Sequence, residues 1–384
     1  MIFYIIAALI AAIVTAGFSW LIRRLGAKYR LYPSIRDRDV HSTPTPRLGG
    51  VAMFLGILAA FAVASQVSWF HLVFARPGQV VAILGAALII VLIGVADDIW
   101  DLDWLTKLAG QIIAAGLLVW QGVQLVTVPV GVNSQGSQSS LGITVVPPVL
   151  GLVLTVGAVV LVMNAVNFID GLDGLVTGVA IIANGVFFIY SYWLARAVGE
   201  TEYFNLASLI TAVLIGACAG FLPFNWHPAK LFMGDAGALL VGLLMATSAI
   251  SVTGQIDPGS LQSGKLLVPA LIPILLPFAI LLIPILDFVL AVTRRMLAGK
   301  SPFSADRKHL HHRLLDMGHS HLQAVLIFYS WTAVVAIGVL SFLFVPWVWS
   351  LAFIVVGLAI TTAVTLAPLG RSLRRATATK GSPS

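Results

Sequence analysis

The sequence predicts an all-α, polytopic integral membrane protein with about eleven transmembrane helices. Three observations carry this reading. Hydrophobic residues make up 59% of the 384-residue chain and charged residues only 10%, with a mean hydropathy of +1.00. No soluble globular class has that balance. Apolar runs of about 20 residues, enough to cross a ~30 Å hydrocarbon core as a helix, recur along the chain. The basic residues fall almost entirely in alternate connecting segments, as the positive-inside rule requires.

The spans read as 2–22, 48–66, 79–96, 106–122, 147–166, 174–194, 205–223, 233–252, 266–294, 324–343 and 347–367. No Lys or Arg precedes the first run, and Arg23 and Arg24 follow it. That is the reverse of a cleavable signal peptide, so the first run is a retained span with its N-terminus outside. From that start, nineteen of the 22 Lys and Arg residues face the cytoplasm, as does the C-terminus; Arg76, Arg196 and Lys265 lie outside. The net charge of +7 is therefore a topology signal. It does not call for nucleic acid, although a basic cytoplasmic face also attracts anionic substrates. The ninth run exceeds the bilayer thickness and contains Pro273, Pro277 and Pro284, so it is expected to kink or break. Residues 125–146 carry no charge and suit a short β-hairpin. Residues 1–370 read as one transmembrane domain. Residues 371–384 read as a polar cytoplasmic tail, disordered from Ala376. Cys218 is the one cysteine, which excludes an intrachain disulfide.

Five polar clusters map to one side of this topology. The first, HSTPTPRLGG from His41 to Gly50, brings Arg47 and a glycine pair to the membrane surface, where Arg47 and His41 can hold a phosphate or simply set topology. The second, ADDIWDLDWLTK, holds Asp97, Asp98, Asp101 and Asp103 within seven residues. Such acids repel one another unless a cation is near, and a hard divalent ion such as Mg²⁺ suits them. Lys107, ten residues after Asp97, can face the same site as a phosphate clamp. The third is NAVNFIDGLDGLVTG, from Asn164 to Gly178. Asn164, Asn167, Asp170 and Asp173 recur every third residue and, on a continuous helix, share roughly one face. Gly171, Gly174 and Gly178 admit a close backbone or ligand. Carboxylates at a membrane edge are costly unless they bind something.

The fourth cluster is LFMGDAGALLVG. Asp235 between Gly234 and Gly237 is a metal-ligand candidate whose bland alternative is helix capping, and Phe232 can stack on a base. The fifth is SPFSADRKHLHHRL. Arg307, His309, His311 and His312 suit a pyrophosphate or sugar phosphate; the neighbouring Arg and Lys argue against zinc. Asp287, inside the ninth run, stays outside this core set.

Taken together, PRLGG, ADDIWDLD, NAVNFIDGLDGL, FMGDAG and SPFSADRKHLHH resemble the polyprenyl-phosphate N-acetylhexosamine-1-phosphate transferase family over residues 36–323. The stretch RKHLHH resembles its WecA/TagO subgroup rather than the MraY type, which has consecutive histidines there. The resemblance implies ten or eleven spans in the bacterial cell membrane and an active site on the cytoplasmic face. It implies transfer of N-acetylglucosamine-1-phosphate from UDP-GlcNAc to undecaprenyl or decaprenyl phosphate, giving polyprenyl-diphospho-GlcNAc and UMP. That is a first membrane step of cell-envelope polysaccharide synthesis, with Mg²⁺ as cofactor and Mn²⁺ as substitute. By family position, Asp235 and Asn167 are metal ligands and Asp97 and Asp98 the catalytic acids. Lys107 contacts phosphate, Phe232 and Asp173 recognise uracil, and Arg307, His309, His311 and His312 hold pyrophosphate and sugar. Asn164, Asp170 and Asp101 stand in the right motifs as further substrate-site residues. Arg47 and His41 are lipid-phosphate candidates, although RDRDVHSTPT mixes acids into the basic run expected there. A homodimer is compatible with this reading. The competing readings are an MraY-like phospho-MurNAc-pentapeptide transferase and, from another class, an ion-coupled transporter. A transporter calls for midplane carboxylates and inverted repeats, whereas these acids map to one edge and no repeat is visible.

Overall fold

The computed structural model describes residues 1–29, 45–133, 140–198, 202–253, 279, 282–297, 299 and 310–380. The fold is built around the most buried of its long apolar helices among the described residues. α9 (Gly234–Thr253) has no charged residue after Asp235, and nearly all its side chains are buried. A helix apolar on every side belongs in the middle of a bundle. Around it pack α2 (Gly49–Ala64), α4 (Pro77–Trp100), α6 (Pro148–Ile169), α7 (Leu175–Val198) and α8 (Glu202–Asn225). α1 (Ile2–Tyr29) lies on α2 and α8, and α5 (Trp104–Trp120) bridges α4 and α6. α10 (Leu282–Leu297) runs beside α6. The short α11 (Leu310–Asp316) leads into α12 (His321–Ser341), which packs on α7 and on α13 (Trp347–Lys380).

Among the described residues, eight helices are long and apolar enough to cross a membrane. α2 and α5 are apolar but shorter, at 16 and 17 residues. After α2 the chain turns by 95° into a short helical stretch, Ser68–Phe74, where α3 (His71–Phe74) sits. Each span expected from the sequence falls on a helix, with α1 and α13 running on past the ends of theirs, except the first half of the ninth. That half, with Pro273 and Pro277, lies outside the described residues. Pro284 sits in the first turn of α10, where no intrahelical N–H bond is lost.

Residues Thr127–Asn133 (β1) and Ser140–Val145 (β2) form the antiparallel hairpin for which the uncharged outer segment was suited, with an irregularity between Pro129 and Val132. α13 carries the expected apolar span, Trp347–Ala367, and continues as helix past it to Lys380. Residues 371–380 contain neither Gly nor Pro and are rich in Arg and Ala, so helix propensity carries the chain past the apolar span.

Candidate active site

Two close backbone approaches set the geometry at one end of the bundle. Gly94 of α4 meets α9 so closely that a Cβ there would lie 2.2 Å from Ala236 Cα. Gly50 of α2 meets the same turn, with a Cβ position only 2.3 Å from the Gly237 nitrogen. The PRLGG and LFMG stretches also bond directly. Phe232 N–H donates to the Pro46 carbonyl (2.9 Å), and Gly49 and Gly50 N–H donate to the Phe232 and Met233 carbonyls (both 3.0 Å). Motifs almost two hundred residues apart are thereby one interlocked unit.

That interlock brings the carboxylates together. Asp97 and Asp98 stand in the last turn of α4, and Asp235 in the first turn of α9. Lys107, from the first turn of α5, places Nζ 3.0 Å from Asp97 Oδ2 and 3.5 Å from Asp235 Oδ2. Asp98 Oδ2 lies only 2.3 Å from where a Cβ on Gly234 would stand, so Gly234, with φ +69°, both makes the turn and leaves room for the carboxylate. Asp235 at a helix N-terminus also complements the helix dipole.

Asp170 follows the end of α6, and the Arg47 charge acts on it together with those of Asp235 and Asp173. Burial, reinforced by the Asp235 and Asp173 charges, pushes Asp170 up to about 7. Asp97 Oδ1 and Asp98 Oδ2 are buried without a hydrogen-bond partner among the described residues. Orphaned carboxylate oxygens facing other carboxylates are what a hard divalent cation satisfies. The donor set, oxygen throughout, therefore fits Mg²⁺ or Mn²⁺.

Other expected site residues have different neighbours. The four residues of the NAVNFIDGLD stretch do not share one helical face, because α6 stops at Ile169 and the chain turns through Asp170 to Gly174. Gly171 and Gly174 in that stretch disfavour helix, and Gly174 takes φ +76°. Asn164 Nδ2 donates to Gln111 Oε1 (2.6 Å) and ties α6 to α5. Asn167 stands in the last turn of α6 and is half-buried. Asp173 is buried, and its Oδ2 accepts from His227 Nδ1 (2.7 Å) and from the Ala229 N–H (3.0 Å). Gly178 admits no ligand: Tyr329 of α12 packs where its Cβ would be.

Asp101 and Asp103 leave the acidic cluster. Asp101 is exposed and terminates α4 at φ +53°, with its N–H on the Asp97 carbonyl (2.9 Å). Asp103 caps α5, accepting from the Leu105 and Thr106 N–H groups (3.1 Å each), and these bonds with the Thr106 hydroxyl hold its carboxyl below the usual range. The local pattern Asp-x-x-Thr was the signal for that cap. Phe232 is half-buried, with its backbone in the interlock. Arg307, His309 and His41 lie outside the described residues; His311 and His312 fall on the backbone of α11, with side chains outside them. Sequence reasoning missed Gln111, Asn225, His227, His321 and Tyr329. Asn225 Oδ1 accepts from the Gly174 N–H (3.0 Å) and the Thr177 hydroxyl (2.9 Å), locking the start of α7 to the end of α8. The polar stretch FNWHPA ahead of FMGD was the one available sign of it.

Carboxylates and a lysine converging at one end of an apolar helical bundle suit a membrane-embedded enzyme of the phosphotransferase type, in which charge neutralisation is the central chemical provision. Comparison with known proteins places it further. Residues 80–253 match the model of glycosyl transferase family 4. The chain is 43% identical over 340 residues to a decaprenyl-phosphate N-acetylglucosaminephosphotransferase of Mycobacterium tuberculosis, covering 88% of this chain and 81% of that one. It is 32% identical over 330 residues to a probable undecaprenyl-phosphate N-acetylglucosaminyl 1-phosphate transferase of Bacillus subtilis, covering 86% and 82%. It is 31% identical over 355 residues to a phospho-N-acetylmuramoyl-pentapeptide-transferase of Bacillus licheniformis, covering 88% and 95%. The chain belongs to glycosyl transferase family 4, as the motif resemblance implies.

Proposed function

We propose that this protein transfers N-acetylglucosamine-1-phosphate from UDP-GlcNAc to a membrane polyprenyl phosphate of the decaprenyl or undecaprenyl type, releasing UMP at the cytoplasmic face of a bacterial cell membrane. The observation that carries this reading is the cluster of Asp97, Asp98 and Asp235 held by Lys107 at the end of the bundle. The higher identity to the decaprenyl-phosphate enzymes than to the pentapeptide transferases favours the GlcNAc donor. The placement of nineteen of 22 basic residues by the positive-inside rule supports a cytoplasmic site.

In this reading an oxygen of the lipid phosphate attacks the β-phosphorus of the donor. The bond from that phosphorus to the bridging oxygen breaks, and UMP departs with the oxygen. Asp235 and Asn167 would hold Mg²⁺, with the orphaned oxygens of Asp97 and Asp98 as further donors, and the bound ion would supply neutralisation of the charge that two polyanions bring together. Asp97 and Asp98 orient the attacking phosphate. Its second pKa lies near 6 in comparable monoesters, so it needs little deprotonation. Lys107 leaves its two carboxylates for the donor phosphates, a short reach for a side chain already between them. Positioning supplies most of the rate.

The test is UMP release by purified protein from UDP-GlcNAc and decaprenyl phosphate with Mg²⁺, with and without EDTA. Release that needs both substrates and metal, and falls at least about 100-fold in Asp98→Asn and Asp235→Asn, is the expected result. Equal release in these variants sinks the catalytic assignment, and faster turnover of UDP-MurNAc-pentapeptide than of UDP-GlcNAc overturns the donor.

A further inference from the structure

The turn between α6 and α7 is held from outside the acidic cluster by residues to which neither the motifs nor the proposed chemistry gives a role. Asp173 is its anchor. The Asp173 N–H donates to His321 Nε2, at the start of α12, at 2.9 Å. Its Oδ2 accepts from His227 Nδ1, in the turn after α8, at 2.7 Å. The two imidazoles stack on each other with centroids 4.2 Å apart and planes at 18°. Ser320 and Gln323 form a reciprocal capping box that fixes the first turn of α12 and hence the position of His321. One turn-pair further along α12, the Tyr329 hydroxyl donates to the Gly174 carbonyl. Backbone and side chain of one five-residue turn are thus gripped by two separate elements.

Asp173, His227 and His321 each bring a potential metal-ligand atom within 4.8 Å of the others. The hydrogen bonds assign them differently. A carboxylate only accepts, so His227 Nδ1 carries the proton toward Asp173. The Nε2 lone pair of His321 is taken by a backbone N–H. The arrangement is a clasp.

We propose that His321 and His227 are positioning residues of this active site: by gripping Asp173 they lock the turn from Asp170 to Gly174 and so set where Asp170 stands against Asp235. This rests on the proposed transferase reading for its kinetic consequence, but the clasp itself is structural. The lock acts across four residues, Asp170 to Asp173, and the Asp235 and Asp173 charges both act on Asp170.

The experiment compares His321→Ala with His321→Gln and His227→Ala with His227→Asn. A glutamine Oε1 replaces the Nε2 acceptor, and an asparagine Nδ2 replaces the Nδ1 donor. Two readouts are taken on the purified full chain: amide hydrogen exchange in peptides covering residues 164–178, and kcat/KM for UDP-GlcNAc at saturating lipid and metal. The alanine variants are expected to exchange faster in that turn and to lose about tenfold in kcat/KM, the value of one buried hydrogen bond. The glutamine and asparagine variants are expected to restore protection and to return within about threefold of wild type. Alanine and amide variants that lose activity and protection equally overturn the clasp in favour of plain packing, and unchanged exchange in all four overturns it outright. An inactive wild type would refute the transferase reading alone, because the exchange comparison still decides the clasp.

Discussion

Gly94→Ala tests whether the acidic cluster is set by backbone contact between α4 and α9. The added methyl would lie 2.2 Å from Ala236 Cα and 2.3 Å from its nitrogen. Both atoms are helix backbone, so no side chain can rotate away. Restoring an ordinary contact of about 3.4 Å moves α9 from α4 by about 1.2 Å, a large displacement in an interior packed like a crystal. Overpacking of this kind costs about 1–3 kcal/mol of stability. Its effect on activity is larger, because Asp235 is the residue next to Ala236 while Asp97 and Asp98 are three and four residues beyond Gly94. The shift opens the cluster directly and stretches the 3.5 Å contact from Lys107 to Asp235. A misplacement of about 1 Å among catalytic groups costs on the order of 100-fold in rate. The assay is kcat for UMP release in nanodiscs, with thermal unfolding in the same preparation. A variant within threefold of wild-type kcat and with an unchanged midpoint refutes the claim that this contact positions the site.

Two further perturbations follow from the charges. Lys107→Met leaves the Asp97 and Asp235 carboxylates facing each other; with Asp97 buried and the lysine partly exposed, the loss is about 2 kcal/mol without metal. Added Mg²⁺ should raise the unfolding midpoint of Lys107→Met more than that of wild type, and an equal rise contradicts the shared-site reading. For Asp170, pushed up from 3.8 to about 7, the folded protein keeps a proton that the unfolded chain gives up. Its contribution is fully present below pH 4 and lost as pH rises through 7. In EDTA the unfolding midpoint should therefore fall between those values, and Asp170→Asn should flatten the fall; an unchanged slope rejects the assignment.

The sequence made the helices and the acidic pair legible for the same reason: in a chain so poor in charge, apolar runs and isolated carboxylates both stand out. Asp97, Asp98, Asp235 and Lys107 were found this way, and they do converge. Residues whose roles depend on distant partners were not legible. Asp173 reads as a ligand-facing acid in its motif, yet its partners His227 and His321 are 54 and 148 residues away. Asn164 likewise pairs with Gln111, 53 residues earlier. Local periodicity misled at Asp170 and Asp173 because it assumed a continuous helix where Gly171 and Gly174 favour a turn. Asp103 was counted as a repelling acid although Thr106 three residues later marks it as a cap.

These successes and failures share a physical root in how a membrane protein can afford a polar site. Carboxylates cannot be spread through the hydrocarbon, so they gather at helix ends, where the chain pattern exposes them. Gathering them needs the helices to approach more closely than side chains allow, hence Gly50 and Gly94 against the first turn of α9. Contacts of that kind leave no rotamer to relax, so they hold charges in place better than loops do. The turn carrying Asp170 is held by hydrogen bonds from α8, α12 and the His227 turn. The rigid half of the site is therefore written in motifs with glycines. The other half is written in scattered His, Asn and Tyr residues that only the folded chain brings together.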